Sequence, residues 1–226
     1  TGVQTCALPI FGAPIGMSGL GSVGTFVVVT FFIASFGSAQ VAGHAIALQS
    51  ANVGFALLWG GAQATTIRMG WATGARNQAA TEVAAWTGMV NGILMAAMLS
   101  AVFLAARDWI AGLFLDVTDP ANLPAFELAT SIMVVVAVYQ LVNAPQLVTT
   151  SALRGLRDTT IPFLISLSGY WLLGSVFAGI LGFGLDYQAV GIWAGLAGAV
   201  CISGVLLVRR LTRLLPQAMA LTEDES

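Results

Sequence analysis

Residues 81–105 read TEVAAWTGMVNGILMAAMLSAVFLA. Glu82 stands at the start of this stretch, and no further charge follows before Arg107. A membrane-spanning helix needs about 20 mostly apolar residues, so the segment is long enough to cross a bilayer. A transmembrane strand would be shorter and would alternate polar and apolar residues. No such alternation is present here. Working outward, comparable apolar runs recur on both sides. The spacing predicts spans at 12–36, 41–67, 81–105, 124–153, 159–183 and 190–214. Hydrophobic residues make up 58% of the 226-residue chain and charged residues 8%. Soluble domains carry roughly 25% charge, so lipid is the solvent that this composition fits. The expected fold is an all-α integral membrane bundle of six transmembrane helices. A net charge of −2 gives no footing for nucleic acid.

The remaining segments divide around that bundle. Residues 1–10, TGVQTCALPI, carry neither a charged leader nor an apolar core of signal-peptide length. They read as a non-native or disordered leader to a lobe spanning 11–214, and 215–226 reads as a disordered cytoplasmic tail. Alternating the spans across the membrane puts Arg68, Arg76, Arg154, Arg157, Arg209, Arg210 and Arg213 on one side and Arg107 on the other. Basic residues favour the cytoplasmic face. Both ends of the chain are therefore expected in the cytoplasm of a bacterial inner membrane. Between the third and fourth spans, Trp109, Ile110, Leu113 and Phe114 fall on one helical face, predicting a short amphipathic helix at the membrane surface within 107–123. GxxxG pairs at Gly12/Gly16, Gly70/Gly74, Gly88/Gly92 and Gly191/Gly195 offer sites for close helix packing.

Polar residues within the spans are the candidates for function. Ser18, Ser22 and Thr25 share a face of the first span. Gln49, Asn52 and Gln63 lie along the second. Tyr139, Asn143 and Gln146 lie along the fourth. Either these groups make interhelical hydrogen bonds, or they line a shared substrate or cation pathway. Ser22, Thr25, Gln49, Asn52, Tyr139, Asn143 and Gln146 are the pathway candidates. Pro145 removes the donor for the Leu141 carbonyl and predicts a kink beside Asn143 and Gln146. His44 is expected near the non-cytoplasmic interface, either bonded to a neighbouring loop or titrating as a switch. Glu127 is expected to be interfacial and solvated. His44 is the sole histidine and Cys6 and Cys201 lie far apart, so no metal-ligand spacing exists. The sequence contains no phosphate loop or nucleophile–base constellation, and the expectation is neither an enzyme nor a cofactor protein.

Several motifs together resemble multidrug and toxin extrusion (MATE) transporters. GAPIGMSGLGSVGTF at 12–26 is similar to the opening of their seventh helix. AGHAIALQSANVGF at 42–55 is similar to the start of the eighth, and TTIRMGWATGA at 65–75 to the connection after it. VYQLVNAPQ at 138–146 and ALRGLRDTTIPF at 152–163 resemble the tenth helix and the loop beyond. YWLLGSVFAGIL at 170–181 and AVGIWAGLAGA at 189–199 resemble the last two helices. The resemblance implies the second six-helix lobe of a twelve-helix transporter. The missing N-terminal lobe, the lipid bilayer and small-molecule substrates would be its partners. Such transporters export cationic or amphipathic compounds by antiport with sodium ions or protons, as two lobes alternate access.

Two positions depart from the family pattern. Many bacterial members carry a glutamate where this chain has Ser22 and an aspartate where it has Asn143. Serine and asparagine offer neutral oxygens and cannot hold a proton charge. Tyr139 matches the family. His44 is followed by Ala45 where a glutamine is usual. The competing expectation is a non-coupled or structural membrane protein, a flippase-like relative or scaffold, whose polar residues only pack helices.

Overall fold

A computed structural model describes the backbone of residues 2–223 and the side chains of residues 16, 17, 19–21 and 23–216. Ser18 and Ser22 fall outside the described side chains, as do residues 1–15 and the tail beyond Pro216. Six long helices follow one another: α1 (Gly2–Ala34), α2 (Ser38–Gly74), α3 (Gln78–Gly112), α4 (Leu123–Gly155), α5 (Thr160–Gly184) and α6 (Gln188–Glu223). Among the described residues, α2 through α6 each hold a stretch long and apolar enough to cross a membrane, and Gly19–Ala34 of α1 is a shorter apolar helix. The all-α membrane bundle expected from composition is the fold observed.

Helix α4 is central, packed by α2, α3 and α6, while α1 lies chiefly against α5 and α2. Small residues set these approaches. A Cβ on Gly43 would meet the Ala125 carbonyl and the Ala129 amide at 3.1 Å, and one on Gly155 would lie 2.4 Å from Met69 Cβ. The α2 and α4 backbones therefore nearly touch at both ends of their crossing. The Gly191/Gly195 pair does the same for α6 on α5, where added Cβ atoms would strike the Leu181 carbonyl and the Ala178 amide. Gly88 and Gly92 seat Thr65 and Val148. A Cβ added to Gly70 or Gly74 would meet nothing within 4 Å, so neither glycine is required for packing, although the Gly70 amide borders the α2–α4 contact at Gly155.

Two expectations are corrected. No separate amphipathic helix fills 107–123: α3 runs on through Trp109 and Ile110 to Gly112, and turns follow. The acids explain the stop. Asp116 Oδ1 accepts from the Thr118 N–H at 2.9 Å and its hydroxyl at 2.6 Å, and Asp119 Oδ1 caps the 3-10 turn at Pro120. Side chains that bond their own backbone favour turns over helix. The same Thr118 bonds hold the Asp116 carboxyl below its ordinary range.

His44 is also not at a water interface. It is fully buried, between α1 and α6. Trp193 Nε1 donates to His44 Nδ1 at 3.1 Å, and Thr30 Oγ1 lies 3.1 Å from Nε2. The Thr30 hydroxyl already donates to the Phe26 carbonyl at 2.8 Å. The neutral ring with its hydrogen on Nε2 therefore satisfies both neighbours. Trp193 itself is buried between the Phe26 and Tyr139 rings, with centroids 5.8 and 5.9 Å away. His44 thus ties three helices into the main core. Glu127 is exposed.

Candidate functional site

A cavity of about 410 Å³ opens between α1, α2, α4 and α5. Phe55 and Trp59 of α2 form one wall, their rings 5.7 Å apart. Gly19 and Val23 of α1 and Phe163 and Tyr170 of α5 close the others. Asn143, Gln146, Thr150 and Arg154 of α4 line it with polar groups, each about a turn from the next. The Arg154 guanidinium sits 5.8 Å from the centre of the Trp59 ring, within cation–π range. No carboxylate lines the cavity among the described residues.

The polar atoms here are incompletely satisfied. Asn143 Nδ2 and Gln146 Oε1 are buried with no hydrogen-bond partner among the described residues. A buried, unpaired amide is costly in a low-dielectric interior. A donor and an acceptor of this kind on one helix face suit a ligand or water that can accept from one and donate to the other. Pro145 lies between them, and α4 remains helical through it. Its missing N–H frees the Leu141 carbonyl.

Helix α5 brings Tyr170 to the cavity by an irregularity. Gly169–Leu173 winds as a π-helical turn, which admits an extra residue into the turn and re-aims the side chains after it. Tyr170 then packs against the buried core that holds Tyr139 of α4, while Trp171 Nε1 donates to the Gly21 carbonyl of α1 at 3.1 Å. Gly169 lets the same turn close on α6, because a Cβ there would overlap Ser203.

Asn143 and Gln146 line the cavity, and Tyr139 adjoins it through Tyr170. Thr25 is elsewhere: its hydroxyl donates to the Gly21 carbonyl at 3.0 Å, and it faces a small gap beside Trp171. Gln49, Asn52 and Gln63 are exposed on the outside of the bundle. At 100° per residue Asn52 and Gln63 fall about 20° and 40° from Trp59, and Gln49 about 80°, so all three lie on the side of α2 that carries Trp59. Ser22 lies outside the described side chains. Sequence reasoning passed over Gln140, Tyr170 and Arg154. Gln140 is fully buried and its Nε2 donates to the Ala51 carbonyl at 3.3 Å. Its place one residue after Tyr139 on an otherwise polar-faced helix was a usable signal. Tyr170 had none, since only the π turn aims it.

Comparison with known proteins agrees with this architecture. The MatE family model matches residues 14–180. The probable multidrug resistance protein NorM of Brucella suis is 33% identical over 209 residues, covering 92% of this chain and 44% of that protein. The NorM protein of Pseudomonas putida is 35% identical over 216 residues, covering 94% and 47%. The chain thus spans about half the length of the curated relatives it matches. A crystal structure of MATE in the bent conformation superposes with a TM-score of 0.84 at 16% identity, over 94% of this chain and 46% of that one. A MOP-superfamily transporter from Pyrococcus furiosus, whose binding pocket is described as reversed in polarity, superposes at 0.82 with 17% identity, over 92% and 46%. At such identities these structures speak to the fold alone. With the family model matched over most of its length, the chain belongs to the MatE family of multidrug and toxin extrusion transporters and is a multi-pass membrane protein.

Proposed function

We propose that this chain forms the second lobe of a secondary active efflux transporter of the inner membrane, and that the cavity beside α4 is this lobe's share of the substrate pathway. The observation that carries the reading is a pair of buried amide atoms with no partner among the described residues, Asn143 Nδ2 and Gln146 Oε1, on two residues that line an aromatic-walled cavity. Aromatic walls with a few polar anchors suit an amphipathic small molecule. Exchange would follow from the two lobes alternating access, with the absent first lobe covering the exposed amide face of α2. The arginine bias supports placing both ends of the chain in the cytoplasm.

Sodium ions or protons are the proposed counter-substrates, but this lobe offers neutral donors for them. Asn143 stands where many bacterial relatives carry an aspartate, and no group of three or more His, Cys, Asp or Glu is gathered among the described residues. A proton has no carboxylate to occupy here. Coupling is therefore assigned to the half of the protein outside this chain. Dye export by the full-length protein in inverted vesicles tests both parts. Asn143→Leu with Gln146→Leu should lower export about tenfold or more, since about 1.4 kcal/mol of lost interaction is a factor of ten. Unchanged export would refute the pathway. Export that survives neutralising every membrane carboxylate of the first lobe would refute the coupling assignment.

A further inference from the structure

A second concavity lies on the other side of α2. It is a groove of about 640 Å³ between α2 and α3, and it shares no lining residue with the Asn143 cavity. On α2 its residues fall roughly opposite Phe55 and Trp59. Arg68 stands at one end and Met98 at the other. Gly88 lets α3 close on α2 at the floor, where a Cβ would come 2.4 Å from Thr65 Oγ1.

Depth and chemistry both vary along this groove in a defined order. From Ala84 to Met98 the rise along α3 is about 21 Å, close to one leaflet of a bilayer whose hydrocarbon core is about 30 Å thick. Exposed Trp71 and Trp86 lie near the Arg68 end, and such tryptophans favour the headgroup level. Exposed Trp109 lies at the far end of α3, about 35 Å from Trp86, at the other membrane face. Arg68 is exposed and has no hydrogen-bond or ion-pair partner among the described residues. Next come Thr87 and Asn91, and deepest are Leu94, Met95 and Met98. The order is cation, then neutral polar groups, then flexible apolar chains.

We propose that this groove binds an anionic phospholipid from the adjacent leaflet. The phosphate pairs with Arg68, the ester region meets Thr87 and Asn91, and an acyl chain lies along Leu94 and the two methionines. A guanidinium free of protein partners at headgroup depth complements a phosphate. An apolar floor one leaflet deep distinguishes a lipid from a free anion. The proposal is independent of the transport reading, since it uses none of the cavity residues.

Native mass spectrometry of the full-length protein tests it, with phosphatidylglycerol and phosphatidylcholine of the same acyl chains as the probes. Phosphatidylglycerol should be retained about fivefold better. Arg68→Ala should erase that preference, and Arg68→Lys should keep most of it. Thermal unfolding in lipid-free detergent should be the same for all three proteins, because Arg68 has no partner to lose. Excess inorganic phosphate should not displace the lipid. Equal retention of the two lipids, as would follow if the first lobe covers the groove, would overturn the proposal. Full displacement by phosphate would assign a free-anion site instead. An Arg68→Ala protein that keeps the preference would also overturn it.

Discussion

Helices α2 and α4 carry similar polar residues at similar spacing and put them to opposite uses. On α4, Tyr139, Gln140, Asn143 and Gln146 are all buried. On α2, Gln49, Asn52 and Gln63 are all exposed. Chemistry does not separate these sets, because both are mainly amides. Position does. Helix α4 is packed by α2, α3 and α6, so most of its circumference is interior and its amides are enclosed with it. Helix α2 offers its neighbours a seam of Gly43, Ala47, Ala51, Gly54, Leu58 and Ala62, and its amides fall off that seam. A polar face on a membrane helix is therefore a statement about a cavity only once the helix's neighbours are known.

The largest expected contrast comes from placing one charge on each face. Gln140→Glu puts a carboxyl where no water and no cation reach, and it should cost about 3 kcal/mol of stability, as an unpaired buried charge does. Gln49→Glu should cost about 0.5 kcal/mol or less, as exposed substitutions do. Thermal unfolding of the two variants in the same detergent measures the difference. Equal losses would mean that the two faces are not distinguished by burial.

The next effect probes why Gln140 is enclosed. A Cβ on Gly54 would come 2.0 Å from Gln140 Nε2, so Gly54→Ala should cost about 2 kcal/mol through overpacking. Combining it with Gln140→Ala should recover part of that loss, because the obstructing amide is gone. Strict additivity in the double variant would show that the two residues do not compete for one space. A smaller effect is expected at Thr66, whose hydroxyl donates to the Ser151 carbonyl across the same pair of helices at 2.9 Å. Thr66→Val keeps the shape and removes that bond, for a loss of about 1 kcal/mol.

This contrast also explains what the sequence could and could not disclose. Span existence was legible because an apolar run such as 83–105 has one physical solution in lipid. The end of α3 was misjudged because Trp109, Ile110, Leu113 and Phe114 have helical spacing, while the turn-forming bonds of Asp116 and Asp119 stop the helix after Gly112. His44 was placed at the surface because its two partners, Thr30 and Trp193, lie far from it in sequence. Of the candidate site, Asn143 and Gln146 were legible as a helical face. The α5 side of the cavity was not, since Tyr170 reaches it through a π turn that leaves no mark in composition or periodicity.

The smallest expected change is the one that tests what α2's outer face is for. Asn52 is exposed and has no role in the bundle's packing, so Asn52→Leu should shift stability by about 0.5 kcal/mol or less. In lipid an exposed asparagine is unfavourable, and leucine there would then stabilise the isolated chain slightly. In the full-length protein the outcome should reverse. If the first lobe and an aqueous pathway meet this face, leucine removes hydrogen-bonding groups from it, and export should fall while the fold survives. Parallel measurement of unfolding and dye export separates the two roles. Loss of export with unchanged unfolding makes α2's amides part of the pathway beside Phe55 and Trp59, whereas unchanged export leaves that pathway to α4 alone.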